Sequence, residues 1–161
     1  MNELGWSAPA HAVDAGTARR GILWQHERIR TLLEKARALA DAWLAGERLA
    51  SDAVASAIGD IHSAMEVHLK FEEAVLLPLL GDDLPLGPER AARLAEEHLH
   101  QRMTMAALHK EASSHPELPL LASKLAALAS WLLADMEEEE RSLLNPDAVR
   151  DDPVVVDQNS G

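Results

Sequence analysis

Between Ser51 and Leu80, the residues Val54, Ile58, Ile61, Met65, His68, Glu72, Val75 and Leu79 follow at alternating steps of four and three. That spacing keeps one face of an α-helix turned the same way and fits no strand. Three other segments repeat it. The first carries Ile22, His26, Ile29, Leu33, Ala36, Ala40 and Trp43. The third carries Ala91, Leu94, His98, Gln101, Met105 and Leu108, and the fourth Leu121, Leu125, Leu128, Leu132, Asp135 and Glu139. Breakers separate them: Gly46, then "GDDLPLGP", then "SSHPELP", with "NP" closing the last. The sequence therefore predicts helices over roughly 17–44, 51–80, 88–112 and 119–144, with Ser51 or Asp52 capping the second. Pro88 suits the first turn of the third. Four striped helices joined by short links bury their apolar faces as an all-α, up-down-up-down four-helix bundle.

The composition agrees. In 161 residues there is room for one domain with a substantial core. Alanine and leucine dominate, with one phenylalanine and no tyrosine, which favours helix over sheet. With no cysteine there is neither a disulfide framework nor a thiolate metal site. A net charge of −12 repels phosphate backbones, so no nucleic-acid partner is expected. No signal-peptide core and no membrane-spanning apolar run are expected, and a cytoplasmic location follows. The domain reads as residues 17–146, flanked by a partly disordered N-terminal arm (1–16) and a C-terminal tail (147–161).

Six ionisable residues occupy core phases of the stripes: His26, His68, Glu72, His98, Asp135 and Glu139. A buried, unpaired carboxylate costs at least several kcal/mol, so something must compensate. In an antiparallel bundle, at 1.5 Å rise per residue, all six fall within about one or two turns of a common level. Imidazole with carboxylate, without thiolate, suits iron, manganese or zinc. Glu72 and Glu139 are placed to bridge two ions. Three carboxylates balance two divalent cations and one hydroxide.

"QHERIRTLLE", "HLKFEEAVLLP" and "EEHLHQRM" resemble the first three ligand-bearing stretches of hemerythrin-like (HHE cation-binding) domains. The resemblance spans roughly residues 17–146. His26, His68, Glu72, His98 and Glu139 match its pattern of a histidine, H-x-x-x-E, a histidine and H-x-x-x-E. It implies a non-haem di-iron centre that binds or senses iron, oxygen or nitric oxide, or consumes peroxide. Two positions depart from it: Asp135 replaces the fourth-helix histidine, and Arg102 stands where oxygen carriers have a second histidine on helix three. A site richer in carboxylate is expected to oxidise readily and to hold oxygen poorly.

Bland alternatives stand beside this reading. Arg102 could pair with Asp135 or Glu139 and neutralise a metal-free core, leaving a helical interaction module. Glu137, Glu138 and Glu140 read as solvent-facing, as do His62, Glu66, His11, His100 and His115. His109 falls on a face similar to that of His98, where a core or channel role is open. Met65, Met105 and Leu108 read as packing. Trp6, Trp24 and Trp43 are either edge packing or a partner surface.

Overall fold

The computed structural model describes residues 14–47, 51–80, 87–114 and 118–145. They form four helices: α1 (Ala15–Leu44), α2 (Ser51–Leu79), α3 (Gly87–Ser113) and α4 (Leu118–Ser142), with no strand among the described residues. Helix α1 starts two residues before the predicted Thr17. Asp14 caps it, its carboxylate accepting from the Thr17 amide at 2.9 Å and the Thr17 hydroxyl at 2.6 Å. Its other end closes at Gly46, whose φ of 89° is a conformation that glycine adopts without a Cβ penalty. The arm up to residue 13 and the tail from residue 146 lie outside the described residues, as do Trp6, His11 and His115.

Each helix buries the stripe read from the sequence. Helix α1 packs closely on α2 and α4, and α2 on α3, while the α3–α4 seam is the loosest of the adjacent ones. The apolar core is in two parts. The larger runs from Ile29, Ile61 and Leu132 down to Ala40, Val54 and Leu121. The smaller gathers Ala18, Ile22, Val75, Leu76, Leu80, Leu94 and Leu144. Between them lies the layer that contains the buried histidines.

Three placements differ from the sequence reading. At the end of α2 Leu79 is half-buried, and Leu80, just beyond the helix, is buried instead. On α4, Met136 is buried and Asp135 half-buried, so the stripe has turned by one residue near its end. Pro119–Ser142 is also long and apolar enough, by length and composition, to cross a membrane, contrary to the expectation of no such run. One face of it lies in the bundle interior, where Leu121, Ala122, Leu125, Leu128, Ala129, Leu132 and Met136 are buried, while Leu120 is 49% exposed.

Candidate metal centre

His26, His68, Glu72 and His98 are each no more than 2% exposed, and Glu139 only 12% by side chain. One ligand-type atom from each of His26, His68, Glu72 and Glu139 lies within 4.8 Å of the others. Glu72 Oε2 stands 3.5 Å from His68 Nε2 and 3.1 Å from His98 Nε2, so it joins His98 to the group. Glu139 Oε2 lies 3.5 Å from His26 Nε2. The structure thus brings five of the six predicted residues together. Asp135 stands at the edge, accepting from Gln101 Nε2 at 2.5 Å.

The outer faces of the three histidines explain their orientation. His26 Nδ1 donates to Glu140 Oε1 at 2.9 Å, and Arg30 reaches the same oxygen at 3.1 Å. His68 Nδ1 donates to Gln25 Oε1 at 3.0 Å. His98 Nδ1 donates to Glu73 Oε1 at 3.0 Å, and Arg102 clamps Glu73 through two bonds of 2.6 and 3.0 Å. Each partner atom accepts, so a ring proton belongs on Nδ1 and Nε2 is the atom turned inward. Carboxylate or amide support of this kind is the usual outer partner of a metal-ligating imidazole.

Gln25, Glu73 and Glu140 were not assigned a role from the sequence, yet a signal was there. Each is the chain neighbour of an inward residue: His26, Glu72 and Glu139. One residue is about 100° around a helix, so the neighbour of an inward residue faces an adjoining helix. Glu140 is therefore not solvent-facing. Arg102 does not pair with Asp135 or Glu139 either; it holds Glu73, with Glu66 at 3.7 Å. Its charge serves the histidine support and leaves the inner carboxylates uncompensated.

Inside the layer no side chain other than a protonated Glu72 has a hydrogen to donate. His26 Nε2, Glu72 Oε1 and Glu139 Oε1 are buried without a hydrogen-bond partner. Burial, then the carboxylates of Glu139, Asp135 and Glu73, push Glu72 well above the usual carboxylate range. Burial acts on Glu139 the same way, but the His26 ring and the Glu72 carboxyl beside it outweigh that and hold Glu139 low. The proton that the pair shares therefore sits on Glu72, the more deeply buried of the two. Burial, aided by His26 and His98, lowers His68 to about 4, so its ring is neutral over the physiological range. Burial, then Glu139 and Glu97, raises Asp135. A buried layer of inward imidazole nitrogens and carboxylate oxygens, with no donor besides a proton on Glu72 that a cation can displace, fits cations.

The Hemerythrin HHE cation binding domain matches residues 19–145 of this sequence. The chain belongs to the hemerythrin HHE cation-binding family. No curated protein and no solved structure is matched by it. For this hemerythrin domain the buried layer is the candidate cation site, and the other described histidines fall away from it. His62 and His109 stack on each other, ring centroids 4.9 Å apart and planes 3° from parallel, between α2 and α3. His62 is half-buried rather than fully at the surface, and His109 is exposed, outside any core or channel. His100 is exposed and leans on Trp131. Trp43 is half-buried against the larger core, and Trp24 is 60% exposed.

The histidine support can be tested alone. Glu73→Ala removes the acceptor of His98 Nδ1 and is expected to weaken metal binding about 10–100-fold while the bundle stays folded. Competition against a chromophoric chelator measures it; unchanged affinity would leave Glu73 as a surface ion-pair partner only.

Proposed function

We propose that this hemerythrin domain holds two non-haem iron ions, and uses them to bind or sense iron or small gases such as oxygen and nitric oxide, or to consume peroxide. The observation that carries the reading is an interior lined by acceptor atoms, whose one donor is the displaceable proton on Glu72. Three histidines, locked by Gln25, Glu73 and Glu140, turn their Nε2 atoms toward Glu72 and Glu139. Glu72 lies within reach of both His68 and His98, which suits a carboxylate shared by two ions. His26, His68 and Glu139 would help to hold one ion, and His98 with Asp135 from α4 the other. Bound iron would supply a redox-active Lewis acid that takes up a small exogenous ligand.

The residues also favour chemistry other than stable oxygen carriage. Asp135 replaces a neutral imidazole with an anion, and Arg102 is engaged with Glu73, so helix three offers no second nitrogen. Anionic ligands favour the oxidised metal. Zinc and manganese accept the same donor types, so iron is the part of the reading that metal analysis decides. The cysteine-free composition fits a reducing compartment such as the cytoplasm.

Elemental analysis of freshly purified protein, alongside its near-ultraviolet absorption, is expected to give two irons per chain with charge-transfer bands. His68→Ala should remove at least one iron and the bands. Full metal in that variant would refute the ligand assignment. A chain that takes up no metal, with stability untouched by chelator, would instead be a helical interaction module.

A further inference from the structure

Among the described residues two openings that reach the buried layer differ in chemistry. One lies between α1 and α2 and is lined by Trp24, Ile29, Leu32, Ala64 and Val67, with His68 at its floor; its volume is about 410 Å³. No carboxylate lines it. The other is a cleft of about 250 Å³ in the α3–α4 seam, running from Arg90 and Glu97 past Gln101 and Asp135 to His98 and Glu139. Four carboxylates (Glu97, Asp135, Glu138 and Glu139) face it against the guanidiniums of Arg90 and Arg93.

Gln101 is the unexplained residue in this cleft. It is 4% exposed, and its amide nitrogen is committed to Asp135. Its Oε1 is buried with no partner, on the wall of the cleft, and Glu139 Oε1 is in the same state. A leucine there would fill the core without leaving an acceptor bare, and burying an unpaired amide oxygen is costly. Gln101, Asp135 and Glu139 together present oxygen donors alone, unlike the imidazole-rich layer behind them. Oxygen donors suit a hard divalent cation that still carries part of its water. An aquated dication entering the α1–α2 opening would meet the Arg28 guanidinium and lose water with no carboxylate to replace it.

We propose that the α3–α4 cleft is a transit site for the incoming divalent cation, where Gln101 Oε1 and the carboxylates of Asp135 and Glu139 hold a partly hydrated ion before it passes to His98 and the centre. This rests on the buried layer being a metal centre. Glu97 at the rim draws the ion toward the cleft. Asp135 is the point of transfer: it is bonded to Gln101 on the cleft side and lies one helical turn before Glu139.

Loading of metal-free protein with aqueous cobalt(II), followed by stopped-flow absorption, tests this. Gln101→Leu is expected to slow loading about tenfold through loss of the amide acceptor. Glu97→Gln, an exposed change that spares the fold, is expected to slow it about threefold at low salt and less at high salt. Both should reach the same final cobalt content as the unsubstituted chain. Ala64→Trp, which fills the α1–α2 opening, should load at the unsubstituted rate. Unchanged rates in both cleft variants would overturn the proposal and leave Gln101 Oε1 facing only a water. Slowing in Ala64→Trp alone would assign access to the other opening. If the unsubstituted protein takes up no cobalt, the metal centre itself is refuted, an outcome separate from normal loading in the variants.

Discussion

Glu72→Gln is expected to abolish tight metal binding and, in the metal-free protein at neutral pH, to raise the melting temperature by about 3–8 °C. The two effects share one cause. Glu72 is 1% exposed and faces Glu139, and nothing donates to its Oε1. Without a cation the fold must either bury that charge or keep a proton on it. Glu72 has a raised pKa in the folded chain. Its contribution to stability is therefore fully present below the unfolded value of about 4.5 and is lost as pH rises through the folded one. At neutral pH the metal-free protein stands within or beyond that loss, at a cost of about 1–3 kcal/mol.

Glutamine removes the proton dependence without leaving a hole. Its amide nitrogen can donate to His98 Nε2, which Glu72 Oε2 now approaches at 3.1 Å. What glutamine cannot do is serve as an anion between two cations. Thermal melts of the metal-free proteins at pH 7 and pH 4.5 check the stability half: the gain should shrink toward zero at the lower pH. A variant less stable than the parent at pH 7 would mean that the Glu72 carboxylate is already compensated in the empty fold. Retained stoichiometric metal would mean that Glu72 is not a ligand.

The same burial explains what the sequence could and could not reveal. Period alone placed His26, His68, Glu72 and His98 on inward faces, because a stripe in register with a dozen aliphatic residues leaves a polar member nowhere else to go. The common level followed from helix length and antiparallel order. Asp135 and Glu139 were harder. They lie in the last turns of α4, where the buried phase moves to Met136 and the seam with α3 loosens, so Asp135 drifts to the edge. The supporting residues depend on which helix lies beside which, and at what rotation. Glu140 is one of four consecutive glutamates, and only the neighbouring His26 and Arg30 distinguish it. On paper Arg102 had Asp135 and Glu139 within plausible reach. Glu73 captures it because the α2–α3 packing sets a bidentate geometry there.

Removing the metal is expected to lower the melting temperature at pH 7.5 by about 15–30 °C, and this gap should narrow as the pH falls toward 5.5. At a thousandfold excess over its dissociation constant each cation stabilises the fold by roughly 4 kcal/mol. In a domain of this size each kcal/mol moves the midpoint by about 2–4 °C. The pH dependence comes from proton competition. A cation must displace the proton that Glu72 holds in the empty layer, so over the range where Glu72 is protonated each pH unit costs about tenfold in apparent affinity. His68 acts differently. Its folded value of about 4 lies below the unfolded one of 6.5. Its contribution to folding is therefore full above pH 6.5 and is lost as the pH falls toward 4. In the folded layer the His68 ring stays neutral and ready to ligate throughout, so loss of affinity above pH 6 cannot be charged to it. Isothermal titration in two buffers of different ionisation enthalpy would count the protons released per cation. A count near zero at pH 7, with affinity flat from pH 8 to 6, would mean that Glu72 is already ionised in the empty bundle and that some other donor relieves it.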